Sequence, residues 1–433
     1  MTRPAEENTL RDQTGPQRSG PQLTGPELTG PELTGPELTG PEHSGLEHSE
    51  PERSGPENAG AAHSGPVAGA DPLVAVVLPP REGFGHGRSG ALGLLARRYA
   101  TAPGFRTLVI GGEQAGPPFP EVPFQAIRPA AWWPGNINLR FVAGMIGTLR
   151  RVRPALIEVH NRPEIALALA RLFPRVPVGL LLNNDPSDMR AANSPAARER
   201  LSRRLRLVMT ASDWLRGRFL EGVDPALGQV EVLHNCIDIA AVPPPVEREK
   251  LILFAGRVVP DKAPDSFIRA CALALPSLPG WRAEIIGADG MSASSRETDY
   301  VRQIRAQAGA SGVRMTGYRD HPLVLEAMTR AAIAIVPSRW NEPFGLTALE
   351  AIACGAPLIV SPRGGLPEVA GDTAVYANPD EPAEIAAAIL ALAGDPERRA
   401  SLSRAGRERA CQFDTPVAAA RLAALRRAAM NER

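Results

Sequence analysis

From Leu73 onward, short apolar runs rich in β-branched residues alternate with stretches of helical spacing, and no other feature constrains the fold as much. Leu73-Val-Ala-Val-Val-Leu78 contains no polar residue, which suits a strand buried on both faces of a parallel sheet. Leu92 to Tyr99 then has helical spacing. Thr107–Ile110 and Leu156–Val159 read as the next strands, followed by an alanine-rich helix near Ile165 to Leu172. Val178–Leu182 and Leu207–Thr210 continue the series. Strands that alternate with helices predict a parallel α/β sheet.

Val242-Pro-Pro-Pro-Val246 reads as a linker, because Pro can neither donate to a ladder nor continue a helix. The alternation then restarts, with strands at Leu251–Phe254, Ala283–Ile286, Val313–Met315, Ile333–Val336 and Pro357–Val360. A helix begins at about Asp265, and a plain alanine-, leucine- and arginine-rich helix runs from about Pro416 to Met430. The sequence thus predicts two doubly wound, Rossmann-like α/β domains, 73–246 and 247–412, and a terminal helical segment, 413–433. Such sheets bind ligands beyond the carboxyl ends of their strands, so two facing sheets would leave an interdomain cleft.

Residues 1–72 follow other rules. The unit Gly-Pro-Glu-Leu-Thr recurs at Gly25, Gly30 and Gly35, with looser copies on either side. Gly and Pro in every unit break helix and strand alike, and each unit offers at most one sizeable apolar residue. The expectation is a disordered arm, either a dispensable insertion or a tether for a partner.

A chain of 433 residues is too long for one ordinary core. Its net charge of +1 gives no global field toward nucleic acid. Cys236, Cys271, Cys354 and Cys411 form no CxxC pair, so neither a zinc site nor a disulfide framework is suggested. With no apolar run of membrane-spanning length and no secretory core at the start, the expected location is the cytoplasm, with peripheral contact at the inner face of the plasma membrane left open. Trp132-Trp133-Pro134, near Arg140 and Arg150-Arg-Val-Arg153, fits either a membrane or lipid-linked acceptor contact or a core or lid loop.

The densest chemistry follows the strand Ile333–Val336. The loop Pro337-Ser-Arg-Trp-Asn-Glu342-Pro-Phe-Gly345 leads into a helix from Leu346 to Cys354. Free N–H groups at a helix start, with the helix dipole, hold anions such as phosphate, and Gly345 permits close backbone approach. Glu342 precedes the helix and Glu350 lies about one turn inside it. Two carboxylates so placed can accept hydrogen bonds from a sugar ring and from a ribose. Alone, the segment fits an ordinary capped helix equally well. Gly256-Arg257 ends the strand Leu251–Phe254 and Lys262 follows; a forked and a point cation there suit a diphosphate, or are two solvated surface charges. Ser361-Pro-Arg-Gly364-Gly365-Leu-Pro-Glu368 adds a Gly-Gly turn that either meets a ligand or is an ordinary turn.

Together, Gly256-Arg257 … Lys262, Glu342-Pro-Phe-Gly-Leu-Thr-Ala-Leu-Glu350, Cys-Gly-Ala-Pro-Leu-Ile-Val and Gly-Gly-Leu-Pro-Glu368 resemble the large retaining glycosyltransferase family of GT-B fold. The resemblance runs from roughly Leu73 to the C-terminus and is strongest over Leu251 to Ala388. It implies transfer of a sugar from a nucleoside-diphosphate donor to the hydroxyl of a glycan or lipid-linked acceptor, with retention of configuration, as in bacterial polysaccharide, lipopolysaccharide and glycolipid synthesis. By that resemblance Arg257 and Lys262 hold the diphosphate, Glu342 the donor sugar and Glu350 the ribose. Gly256, Pro343, Phe344 and the backbone of Gly345, Leu346 and Thr347 meet the donor, and Tyr318 stands in the base-contacting loop. His160 matches a histidine that contacts the donor sugar, although a structural histidine at a strand end fits as well. Gly87, Ser89 and Gly90 occupy the place of the acceptor-side glycine-rich loop, in altered form. Leu233-His-Asn235-Cys-Ile-Asp238 is similar to the family's hinge segment, and the last helix is implied to pack back on the first domain. No Asp-x-Asp ends a strand, which agrees with a reaction that needs no metal or other cofactor.

Three rivals share parts of this pattern. Gly85-x-Gly87-x-x-Gly90 with Glu113 satisfies the dinucleotide fingerprint of a Rossmann oxidoreductase. The fingerprint should turn directly out of its strand, however, and Pro79-Pro80-Arg81-Glu82 intervene. A nucleotide-sugar epimerase shares the architecture but not the glutamate pair. A non-catalytic nucleotide-sugar-binding module would use the same cleft without chemistry.

Overall fold

A computed structural model describes residues 71–87, 89–290 and 297–431. The repeat arm expected to be disordered lies outside the described residues, apart from Asp71 and Pro72.

The first sheet contains β1 (Leu73–Val77), β2 (Arg106–Gly112), β3 (Phe124–Ile127), β4 (Leu156–His160), β5 (Val178–Leu182), β6 (Leu207–Thr210) and β7 (Glu231–Val232). Their spatial order is β3-β2-β1-β4-β5-β6-β7, and every pairing is parallel. The helices α1 (Ala91–Tyr99), α2 (Ile137–Val152), α3 (Pro163–Leu172), α4 (Pro195–Arg204) and α5 (Asp213–Leu220) connect them. The central strands β4 and β5 are buried along their whole length; β5 is accordingly a continuous apolar run, whereas β4 carries Glu158 and His160 into the interior.

The second sheet contains β8 (Glu249–Ala255), β9 (Arg282–Ile286), β10 (Val313–Gly317), β11 (Ala331–Val336), β12 (Leu358–Val360) and β13 (Ala374–Tyr376), in the order β10-β9-β8-β11-β12-β13. It too is wholly parallel. Its helices are α6 (Pro264–Ala274), α7 (Asp299–Ala310), α8 (His321–Arg330), α9 (Leu346–Ala353), α10 (Leu366–Ala370), α11 (Pro382–Gly394) and α12 (Pro396–Ala410). The proline run Pro243–Pro245 carries no regular structure and joins the sheets.

The chain crosses between the sheets twice, and the crossings lie side by side. Ile237 donates to Phe413 and accepts from the amide of Thr415, at 3.0 and 2.9 Å. Beyond this point α13 (Thr415–Asn431) packs on the first sheet's layer, with Ala419, Leu422 and Ala423 against Leu95 and Tyr99 of α1. Strand ends decide where a ligand can lie. The segments that follow β5, β8 and β11, and the start of α1, converge on one cavity between the sheets.

Candidate active site

That cavity, of about 410 Å³, is built from both sheets. The second sheet contributes Gly256, Arg257, Lys262, Glu342, Pro343, Phe344, Gly345, Leu346 and Thr347, all singled out in the sequence. The first contributes Ala91, Leu92, Asn183, Asn184 and Asn235.

Two clamps hold the Glu342 loop. Arg339 forms a bidentate pair with Asp265, 2.8 Å on each arm, and reaches Asp380 at 3.0 Å. The amides of Arg339 and Trp340 donate to Asp261 O at 2.9 and 3.1 Å. The loop is thereby fastened to the turn that carries Lys262, and Lys262 pairs with Glu342 while its Nζ lies 5.1 Å from the Trp340 ring centroid. Glu342 is buried. Arg257 is exposed and has no side-chain partner among the described residues. Among the described residues, one cation is therefore engaged and the other is not.

Gly345 begins α9 with φ +111°, and a Cβ there would meet Leu366 Cδ2 at 2.6 Å, so only Gly fits. No side chain caps α9, which leaves its first N–H groups without the usual partner. The Gly-Gly turn has a different job from ligand contact. Gly364, φ +61°, would place a Cβ 2.3 Å from Glu342 O, and Gly365 N donates to that oxygen at 2.7 Å. It shapes the loop from behind. The Phe344 ring also faces away, packed beside His234 and Phe413 with centroids 6.0 and 5.6 Å apart, so only its backbone can meet a ligand.

Glu350 is not part of the 410 Å³ lining. Its Oε1 lies 2.7 Å from Nε2 of His321 at the start of α8. His321 lines a second, larger space of about 1460 Å³ with Tyr318, Gly87 and Ser89. Burial, followed by the neighbouring Asp320 charge, raises the Tyr318 pKa. Glu342 thus lines the smaller cavity, whereas Glu350 lines neither and reaches the larger one only through His321. Sequence reading did not find His321, because its partner is 29 positions away and α8 has no motif.

The first sheet bears on two readings of the sequence. His160 is fully buried at the end of β4, its Nε2 2.9 Å from Glu158 Oε1, and it lines neither space. The strand end does not present its ring to the open cleft. The dinucleotide fingerprint also fails physically. Ser89 Oγ closes its turn on Gly85, accepting from N at 2.9 Å and donating to O at 3.0 Å. Gly90 is the N-cap of α1, and the Glu82 carboxylate already accepts from Gly93 N at 3.0 Å. Burial raises the Glu82 pKa against the opposing hydrogen bonds from Gly93 and Gly90 and the Arg162 charge. The Glu82 carboxyl group therefore occupies the helix start a pyrophosphate would need, and Glu113 is paired with Arg128.

Asn183 and Asn235 supply what motif reading could not weigh. Both Asn183 side-chain polar atoms and Asn235 Oδ1 are buried without a partner among the described residues, and both residues line the 410 Å³ cavity. Buried polar atoms left unpaired are costly, which marks them as groups that a ligand can satisfy.

A further contact ties the sheets together. Glu368 accepts from the amides of Asp213 and Trp214 at the start of α5, at 2.8 and 3.2 Å, and from His234 Nε2 at 2.6 Å. Burial pushes its carboxyl up, but these hydrogen bonds outweigh it and hold the pKa below the usual range.

Residues 238–409 match the family model "Glycosyl transferases group 1". A glycogen synthase of Mycobacterium tuberculosis is 30% identical over 284 residues, 61% of this chain and 66% of the relative. A D-inositol 3-phosphate glycosyltransferase of Thermobispora bispora is 33% identical over 183 residues, 40% of this chain and 42% of the relative. The matched region thus spans less than two thirds of the length of either curated relative. Among solved structures, a sucrose-phosphate synthase from Thermosynechococcus elongatus superposes with a TM-score of 0.67 at 18% identity, covering 82% of this chain and 98% of its own. HepE of Anabaena, solved in complex with UDP-glucose, gives 0.64 at 20% identity, covering 81% and 98%. At such identities the superpositions establish the architecture, two facing doubly wound domains of the GT-B type. Fold, helix start and family model agree: residues 238–409 of this chain are similar to the glycosyl transferases group 1 family.

Proposed function

We propose that this chain moves a sugar from a nucleoside diphosphate to an acceptor hydroxyl with retention of configuration. One observation carries the reading: an uncapped helix start opens into the same cavity as Arg257, Lys262 and Glu342. Breaking the bond between sugar and phosphate puts negative charge on the departing diphosphate. Prearranged positive groups stabilise that charge at little reorganisation cost. Arg257 offers a planar fork, Lys262 a point charge and α9 its first N–H groups. This set lets transfer proceed without a metal ion. Glu342 would accept from the sugar hydroxyls and Glu350, steadied by His321, from the ribose. Asn183 and Asn235 face the sugar from the opposite wall. The acceptor proton would pass to the leaving phosphate in a front-face attack.

The relatives, a glycogen synthase and a D-inositol 3-phosphate glycosyltransferase, favour a saccharide or polyol hydroxyl as acceptor. A bacterial cell-surface or lipid-linked glycan is a narrower reading within that class. An exposed lip favours it. Trp132 and Trp133 are 77% and 40% exposed, and the outer face of α2 and its end presents Arg140, Arg150, Arg151 and Arg153. Incubation with a panel of nucleotide sugars in EDTA, followed by NMR of the released or transferred sugar, tests the central reading. The expected product keeps the donor's anomeric configuration. An inverted product, or no turnover of any donor, overturns it.

A further inference from the structure

The segment Gly364-Gly365-Leu-Pro-Glu368 is braced within the second domain at one end and grips the first domain at the other. Gly365 N donates to Glu342 O at 2.7 Å, so the turn fixes the backbone of that glutamate. Pro367 then sets φ in the first turn of α10, and Arg409 of α12 donates to Glu368 O at 2.6 Å. Beyond this brace the Glu368 side chain leaves its own domain. It accepts from the amides of Asp213 and Trp214 at the start of α5 and from His234 Nε2, all groups of the first domain.

The groups that Glu368 grips adjoin the cavity on both sides. Ser212, wholly buried at the N-cap of α5, donates through Oγ to Pro343 O, the carbonyl beside Glu342. His234 precedes Asn235, which lines the cavity from the first domain. Tyr99 Oη donates to His234 O at 3.0 Å, so this stretch is fastened to α1 as well. Two ties, Glu368 to α5 and Ser212 to Pro343, therefore join the donor-side loop to one helix start. A carboxylate suits that place because it satisfies N–H groups the helix leaves unpaired and complements the helix dipole. Its side chain is only 20% exposed, and a charge-assisted contact with several donors is directional. Such a contact fixes a distance between the domains, which apolar packing alone would define less sharply.

We propose that Glu368, acting with His234 and Ser212, is a positioning residue that sets the Glu342 loop against the Asn235 wall, so that a sugar held by the loop meets the first domain in register. The proposal rests on the reading of this cavity as a donor-sugar site. It gives the Gly-Gly-Leu-Pro-Glu string a role without ligand contact, in keeping with its place behind the loop. Diphosphate capture by Arg257 and the start of α9 lies wholly in the second domain and does not depend on this bracket.

Hydrogen–deuterium exchange of the full chain, beside calorimetry and steady-state kinetics, tests this on Glu368→Ala, His234→Leu and His234→Gln. In Glu368→Ala the amides of Asp213 and Trp214 should lose protection, and so should Gly365, whose amide reports the hold on Glu342 O. His234→Leu leaves α10 itself untouched and should expose Gly365 too. Loss confined to Asp213 and Trp214 overturns the proposal whatever the kinetics show. In both variants the kcat for donor turnover should fall about tenfold or more, as misplacement of reacting groups does, with nucleoside-diphosphate affinity unchanged. His234→Gln keeps a donor toward Glu368 and should restore both Gly365 protection and kcat. A contact that only stabilises the fold would lower Tm and leave the kcat of the folded protein as it was, and that result contradicts the positioning role. If Glu368→Ala does not fold, the His234 pair decides: equal kcat in His234→Leu and His234→Gln contradicts the proposal. A wild type that turns over no donor would instead defeat the donor-sugar reading, and exchange at Gly365 would still decide whether the bracket holds the loop.

Discussion

Lys262 and Arg257 are both cations at the end of β8, yet they stand in different states. Lys262 is already paired with Glu342, whereas Arg257 has no side-chain partner among the described residues. A diphosphate entering the cavity would meet Arg257 first and would have to share Lys262 with the carboxylate. Arg257 therefore governs capture, and the Lys262–Glu342 pair governs the chemical step. Replacing Glu342 by Gln keeps the shape and the hydrogen bond from Lys262 but removes the charge. Transfer should fall about 10²-fold, on the order of 2.7 kcal/mol of transition-state stabilisation, with an unchanged Tm. Steady-state kinetics beside thermal unfolding checks this, and near wild-type kcat in the folded variant would remove Glu342 from the chemistry.

At the scale of elements, legibility followed burial. The strands β1, β5 and β11 and the Leu251–Ala255 part of β8 could be read because they are largely covered and the sequence shows apolar runs, and β4 because apolar residues predominate in it. The edge strands β3, β7 and β13 escaped notice, being only four, two and three residues long and half exposed. Helix α12 was also missed, because Pro396–Ala410 is mostly Arg, Glu and Ser and carries hardly any apolar stripe. The helix start at Gly345 was legible from its glycine and its flanking glutamates. The covering of His160 was not, because Arg426 and Tyr99 reach it from distant elements. The outer lip at α2 is a surface element with its own prediction. Two exposed tryptophans beside a basic helix face should bind anionic vesicles and spare neutral ones, with salt weakening the attraction. Co-sedimentation with phosphatidylglycerol-containing vesicles should retain the wild type and release Trp132→Ala with Trp133→Ala. Equal pelleting of wild type and double variant, or equal binding to neutral vesicles, would argue against a membrane lip.

For the whole molecule, the two parallel sheets do different work around one cavity. The second sheet gathers the cations, the carboxylates and the uncapped helix start, all within the segment that matches the family model. The first sheet offers neutral amides and a buried histidine. The double crossing at Ile237 and Phe413–Thr415, together with the Glu368 contact on α5, holds the two in register. Among the described residues, no helix is long and apolar enough to cross a membrane. The central claim is that this cavity binds a nucleoside diphosphate through Arg257 and the start of α9. Isothermal titration of UDP, GDP and ADP into the wild type and into Arg257→Ala tests it most directly. The account predicts that the wild type binds at least one of them and that Arg257→Ala weakens that binding roughly 10- to 100-fold, as loss of a charge-assisted hydrogen bond requires. Binding of none of the three, or equal affinity in both proteins, would contradict it.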